Sequence, residues 1–310
     1  MTKSISVVIP VYNSELILPG LISRLIPALE KIADSFEILL VNDGSPDKSW
    51  QVINKLTREN KNIVGINLMR NYGQHNALLC GIRSAKNEIV VTMDDDLQHP
   101  PEEIHKLIKK LSEGFDVVYG IPFKQVHEPW RNFFSWFTKA VLSKTLGIKS
   151  IKSISAFRAI RTELRNAFVS FDSPNIIIDA LLTWGTNNFG TVEINEEERK
   201  IGRSNYSLLK LLQIAMLVLT GFSTMPLRVA STIGFFFTLF GAGVLIYVVA
   251  VTVKLGSIPG FPFLASIISI FSGVQLFALG IIGEYLARIF NRSMNHPAYV
   301  IGETTNKLPQ

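Results

Sequence analysis

Short apolar, β-branched runs alternate with segments of helical spacing along the first 120 residues. The pattern predicts strands at Ser4–Pro10, Phe36–Val41, Ile63–Leu68, Glu88–Met93 and Asp116–Tyr119. Between them it predicts helices at Leu16–Ala33, Lys48–Glu59, Asn76–Ala85 and Glu102–Ser112. Strands apolar on both faces that alternate with helices imply an α/β, doubly wound, mostly parallel sheet. Such a sheet binds its ligand beyond the carboxyl ends of its strands.

Beyond Gly120 the pattern changes. Residues 129–146 place Trp130, Phe133, Phe134 and Phe137 at helical spacing beside Arg131, Lys139 and Lys144, which suits a helix lying in a lipid headgroup layer or a buried aromatic face. Tyr206–Thr220 is a second interfacial candidate. Val229–Val253 then runs 25 residues without a charge, and Phe263–Gly283 another 21. Each is long enough to cross a hydrocarbon core of about 30 Å. The turn Gly256–Pro262 makes them a two-helix hairpin. The expected organisation is a catalytic domain over 1–205, an interfacial helix and linker over 206–228, two spans over 229–287 (229–253 and 263–287), and a tail over 288–310. Ala298–Ile301 is expected to form a short strand, paired with the domain sheet or with a neighbouring subunit; a homo-oligomer is thus one expected partner state.

Composition sharpens this division. Hydrophobic residues make up 47% of the 310 and charged residues 18%, and from Val229 to Ala287 the only charges are Lys254 and Glu284. The net charge is +6, with basic residues crowded near the apolar segments. That favours anionic lipid and phosphorylated substrates over nucleic acid, for which no motif is present. Arg199, Lys200, Arg203, Lys210 and Arg228 precede the hairpin, and Arg288 and Arg292 follow it. The positive-inside bias therefore puts both flanks on the cytoplasmic side of a plasma (inner) membrane. Ile5–Val11 is too short for a signal peptide and lacks a cleavage site, so the domain and both termini are expected in the cytoplasm. Cys80 is the single cysteine, so no intrachain disulfide forms; it reads as a small core residue.

The predicted strand ends carry the chemistry. The first leads into Pro10-Val11-Tyr12-Asn13, the second into Asn42-Asp43-Gly44-Ser45, the third into Arg70-Asn71-Tyr72-Gly73, and the fourth into Asp94-Asp95-Asp96. On an extended strand end, Asp94 and Asp96 face one way and Asp95 the other. Two carboxylates aimed at one point call for a cation, and a hard ion such as Mg²⁺ or Mn²⁺ shared with a substrate phosphate fits them. Gln98 can add an oxygen. An acidic helix cap before Pro100-Pro101 is the structural alternative. Asp43 can accept hydrogen bonds from a base or ribose, and Tyr12 can stack on a base. No phosphate-binding or dinucleotide glycine loop occurs in this rim, which excludes the ordinary ATP-loop and dinucleotide classes. The five histidines have no metal spacing and read as structural. Glu284 reads as paired with Arg288 one turn later.

Taken together, these segments, with Phe157-Arg158 and Arg199-Lys200-Ile201-Gly202-Arg203-Ser204-Asn205-Tyr206, resemble the family 2 glycosyltransferases of GT-A fold. The resemblance is nearest the polyprenyl-phosphate branch, which holds dolichol-phosphate mannose synthases and bactoprenol glucosyltransferases. It implies that Pro10, Tyr12, Asn13, Glu15, Asp43, Gly73 and Asp95 hold the nucleotide. It implies that Asp94, Asp96 and Gln98 hold Mg²⁺ or Mn²⁺ and the diphosphate, and that Arg199, Arg203, Ser204 and Tyr206 close over that diphosphate. Arg131 and Arg158 become candidates for the acceptor phosphate, and Asp94 and Asp96 the catalytic carboxylates. The implied reaction is inverting transfer of a hexose, with UDP-glucose as the expected donor, to a polyprenyl phosphate at the membrane. Two departures stand out: Ala156 where an acid often precedes the Phe-Arg pair, and Ile121 where an arginine commonly follows the Tyr-Gly turn. A phosphate monoester is mostly dianionic at neutral pH, so the acceptor is expected to attack without a protein base. A processive polysaccharide synthase is the competing enzyme reading, although its Gln-x-x-Arg-Trp motif is missing. A membrane scaffold or flippase subunit with a relic domain is the competing non-enzyme reading.

Overall fold

The computed structural model describes residues 4–122, 155–173, 176–195, 197, 225–255, 260–294 and 296–305. The chain divides into two compact units, Met1–Asn205 with Asn295–Gln310, and Tyr206–Met294.

The first unit is built on an eight-stranded sheet. In chain order it runs β1 (Ser4–Val11), α1 (Leu18–Glu30), β2 (Ser35–Asn42), α2 (Ser49–Glu59), β3 (Ile63–Leu68), α3 (Gln74–Ser84), β4 (Ile89–Thr92), α4 (Ile104–Leu111) and β5 (Val117–Pro122). Then come β6 (Arg158–Arg161), α5 (Ile178–Gly185), β7 (Phe189–Ile194) and β8 (Ile301–Thr304). The spatial order is β7-β5-β6-β4-β1-β2-β3-β8. β4, β1, β2 and β3 are mutually parallel, as are β5 and β7, whereas β6 and β8 run antiparallel to their neighbours. This is the mostly parallel α/β sheet the alternation predicts, of the GT-A type the resemblance implies, with the first five strands and all four early helices within three residues of their expected limits.

Side-chain alternation splits the core in two. Val7, Ile9, Ile38 and Leu40 pack with Leu21, Leu25 and Leu107 on one face, while Val8, Leu39 and Val41 pack with Leu79, Cys80 and Leu181 on the other. Every strand of the central four is therefore apolar on both sides, which is why no solvent-facing polar alternation shows in their sequence. The tail strand does form, three residues later than expected, and it joins the domain sheet at β3. β6, α5 and β7 were not readable from the pattern.

The second unit contains two long helices, α6 (Met225–Leu255) and α7 (Phe261–Ser293). At 31 and 33 residues they extend about 45 and 50 Å, more than a hydrocarbon core. Val229–Val251 and Ile270–Ala287 are long and apolar enough to cross a membrane. The helices pack on each other: Phe237 meets Phe271 edge-on at 5.8 Å, and Gly241 leaves room for the Phe271 ring. Many of their large apolar side chains, among them Phe236, Ile246, Leu276 and Phe277, are exposed. Exposed apolar surface on this scale fits lipid rather than water, and the chain is a membrane protein.

Candidate active site

A cavity of about 270 Å³ opens at the carboxyl ends of β1, β2, β3 and β4. Pro10, Val11 and Tyr12 line it from β1 and its exit, Asp43 from the end of β2, Asn71, Gly73 and Gln74 from the β3–α3 connection, and Asp94, Asp95 and Asp96 from beyond β4. Four carboxylates thus face one space, and among the described residues no cationic side chain lines it.

Each carboxylate is held in its own way. Asp43 accepts the backbone N–H of Tyr72 at 2.7 Å and of Gly73 at 2.8 Å. Burial pushes its carboxyl above the ordinary range, with those two N–H groups and the Arg70 charge pulling the other way. This bridge needs the two loops in contact: Gly44 has φ of +61°, and a Cβ there would sit 2.5 Å from the backbone of Arg70 and Asn71. Only glycine fits. Gly73, with φ of +94°, turns the chain into α3. Gln74 Nε2 donates to Asp94 Oδ1 at 2.6 Å. Asp95 accepts from the Ser14 hydroxyl and from Tyr12 N–H at 3.4 Å. Burial pushes the Asp95 carboxyl up to about 6, against the Ser14 and Tyr12 bonds, and neighbouring Asp96 adds to the rise. Asp96 Oδ1 accepts Gln98 N–H at 3.1 Å across Leu97, whose φ is +61°. Because β4 ends at Thr92, strand alternation stops short of the triple aspartate, and Asp95 turns to the cavity with its neighbours.

Residues 6–168 match the family described as Glycosyl transferase family 2. The chain belongs to glycosyl transferase family 2. Curated relatives span nearly its whole length. One from Pectobacterium atrosepticum is 32% identical over 308 residues, covering 98% of this chain and 94% of its own. One from Proteus mirabilis is 35% identical over 306 residues, covering 96% and 93%. Both are named undecaprenyl-phosphate 4-deoxy-4-formamido-L-arabinose transferase. Among solved structures, glucosyl-3-phosphoglycerate synthase of Mycobacterium tuberculosis, in complex with Mn²⁺, UDP and phosphoglyceric acid, superposes with a TM-score of 0.51 at 19% identity, over 70% of this chain and 76% of that one. That likeness concerns the fold.

In this glycosyltransferase the structure gathers Pro10, Tyr12, Asp43, Gly73, Asp94, Asp95 and Asp96 at one cavity. Tyr12 is 47% exposed and free to meet a flat ring. Asn13, with φ of +57°, sits at the turn beside it and donates its N–H to Ser45 Oγ. Glu15 faces another way: its carboxylate accepts Lys48 N–H at 2.9 Å, next to the start of α2. Gln98 is not among the lining residues; its carbonyl accepts Glu197 N–H at 2.9 Å.

Arg158 is not brought to the cavity. It is 1% exposed, ion-paired with Asp179 on α5, and donates Nε–H to Thr92 Oγ1 at 3.0 Å. Tyr119 O–H also donates to Asp179, at 2.8 Å. The expectation that Arg158 meets a substrate phosphate is therefore corrected to a buried clamp between β6, β4 and α5, because its guanidinium is spent inside the protein. Arg131, Arg199, Arg203, Ser204 and Tyr206 lie outside the described residues. Sequence reasoning missed Ser14, Gln74 and Asp179, and named Asn71 as part of the rim segment Arg70–Gly73 without giving it a role; of the three missed, Ser14 alone carried a signal, its position just past the first strand end.

The residues present fit a divalent cation. The donors are hard carboxylate oxygens, those of Asp94 and Asp96 border one open cavity, and among the described residues no lining cation competes. Among the described residues no three His, Cys, Asp or Glu groups form a complete ligand set, so further ligands would come from substrate phosphate or water.

Proposed function

We propose that this glycosyltransferase moves a sugar from a nucleoside-diphosphate donor to the phosphate of undecaprenyl phosphate, at the cytoplasmic face of the membrane. The observation that carries this is the cavity walled by Asp43, Asp94, Asp95 and Asp96, in a chain that also bears two membrane-length helices. The relatives' names support the acceptor. They also speak against the expected glucose: the sugar that these names share is 4-deoxy-4-formamido-L-arabinose, and we take that formylated amino-pentose, linked to UDP, as the donor sugar.

In this reading Asp43 receives the base or ribose and Tyr12 stacks on the base. Asp94 and Asp96 would hold Mg²⁺ or Mn²⁺, with Gln98 beside them, and a bound ion would neutralise the charge that gathers on the leaving diphosphate. The Mn²⁺ and UDP of the fold relative from Mycobacterium tuberculosis support that pairing. Arg199, Arg203, Ser204 and Tyr206 supply phosphate donors, and Arg131 receives the acceptor phosphate. One phosphate oxygen of the lipid attacks the anomeric carbon. The new C–O bond forms as the bond from that carbon to the nucleotide diphosphate breaks, with inversion, and the nucleoside diphosphate leaves. Ala156 stands where a base would be expected, and its carbonyl accepts Thr92 O–H at 2.7 Å. The acceptor is already a dianion, so positioning replaces deprotonation.

A donor screen tests the sugar. Membranes containing the chain, undecaprenyl phosphate and Mn²⁺ are given UDP-4-deoxy-4-formamido-L-arabinose, UDP-glucose or GDP-mannose. The formamido-pentose is expected to transfer with the highest kcat/KM. Preference for glucose would overturn the donor assignment and leave the acceptor assignment standing.

A further inference from the structure

The segment that follows α7 is bonded to β3 and to the residue that leads from it into the cavity-lining turn. Ala298 is buried and donates its N–H to Asp172 Oδ1 at 2.7 Å. The Tyr299 ring lies 5.8 Å from the Arg83 guanidinium, which also donates to the carbonyl oxygens of Val169 and Phe171. Val300 accepts Met69 N–H at 3.0 Å. β8 then pairs Ile301 with Leu68, Glu303 with Asn67 and Thr304 with Ile66. Gly65 donates to Thr305 Oγ1 at 2.8 Å and accepts Thr305 N–H at 3.0 Å. Trp50 of α2 donates its indole N–H to Glu303 at 3.1 Å.

These contacts converge on one place. Met69 is the last residue before the turn Arg70–Gly73. That turn supplies Asn71 and Gly73 to the cavity and gives both N–H groups that hold Asp43. Asn67, opposite Glu303, is bonded to Asn42 at 2.7 Å, and Asn42 adjoins Asp43. Without β8, β3 would be the free edge of the sheet, where ladders fray first. The turn at its end is not stiffened by its own composition, since Gly73 and Asn71 are loop formers.

We propose that residues 298–305 position the nucleotide pocket: the strand after the second apolar helix fixes the β3–α3 turn, and through it the Asp43 carboxylate. The inference rests on the reading of this cavity as the donor site, but its test is independent of that reading. Hydrogen exchange is compared between the full chain and a chain ending at Met294, which keeps both long helices. Glu303→Pro, which puts a residue without an N–H in the interior of β8 opposite Asn67, is the second variant should the shortened chain not fold. The amides of Tyr72 and Gly73 are expected to exchange roughly tenfold faster or more. Donor KM is expected to rise roughly tenfold while acceptor KM stays the same. Loss of stability alone would lower the melting temperature without splitting the two KM values. Unchanged exchange at Tyr72 and Gly73 in the variant that folds would overturn the proposal. A full chain that took up no uridine nucleotide would instead sink the donor reading, and the exchange comparison would still decide the role of the tail.

Discussion

Asp95 shows how a single residue records its surroundings. Its carboxyl lies half-buried beyond the ends of β1 and β4 and is pushed up from 3.8 to about 6 by desolvation, with the Ser14 hydroxyl, the Tyr12 N–H and its own backbone N–H pulling the other way. A carboxyl whose folded pKa is raised favours the fold in its protonated form. Its contribution is full below 3.8 and is lost as pH rises through about 6. For protein prepared without divalent ions, the loss between pH 4 and 7 amounts to about 3 kcal/mol at 1.36 kcal/mol per unit. Asp95→Asn should remove that part of the pH dependence, and denaturant unfolding at several pH values reads it. Parallel wild-type and variant slopes would contradict the burial argument. The acidic rim itself was legible because charge at the end of an apolar strand has no structural use. The orientation of Asp95 was not, because the strand ends two residues before Asp94, and alternation cannot be extended past a strand. The direction of Glu15 was not legible either, since a rim position does not say which side of the turn a carboxylate faces.

Among the elements, long apolar strands and periodic helices could be read, while β6, α5 and β7 could not. β6 is four residues, Arg158–Arg161, with an arginine at each end. Its sequence looks like a loop, and only tertiary partners make Arg158 a core residue. α5 has eight residues and buries Asp179 in its first turn. Arg158 and Asp179 pay for each other's burial, and neither signals the other in sequence. A buried pair broken on one side leaves an uncompensated charge. Asp179→Ala should therefore cost about 3–5 kcal/mol, and the double change Arg158→Met with Asp179→Leu should recover much of it. Urea unfolding of the full chain in detergent checks both; a double variant as unstable as the single one would mean that packing, not charge, holds β6 to α5. The tail strand was legible as a strand but three residues early, because His296-Pro297-Ala298 is drawn to Asp172 before pairing begins.

At the scale of the whole molecule, an α/β sheet with an acidic cavity and a pair of long apolar helices belong to one chain. The division was plain from the charge-free stretches. The aspartates proposed for the site are seen at one cavity, and the arginines proposed for it, Arg131, Arg199 and Arg203, lie outside the described residues. Membership of glycosyl transferase family 2 fixes the class of chemistry, and the cavity lined by carboxylates at the strand ends is the place we propose for it. The central claim is transfer of sugar to a lipid phosphate through Asp94 and Asp96. Its most direct test follows label from a radioactive nucleotide-sugar into organic-extractable product, with and without undecaprenyl phosphate, for the wild type and for Asp96→Asn. The account predicts label in the lipid only when the acceptor is present, and a fall of at least roughly 10²-fold in the variant with its melting temperature unchanged. Equal labelling by Asp96→Asn, or no labelling of the lipid by the wild type with any donor, would contradict it.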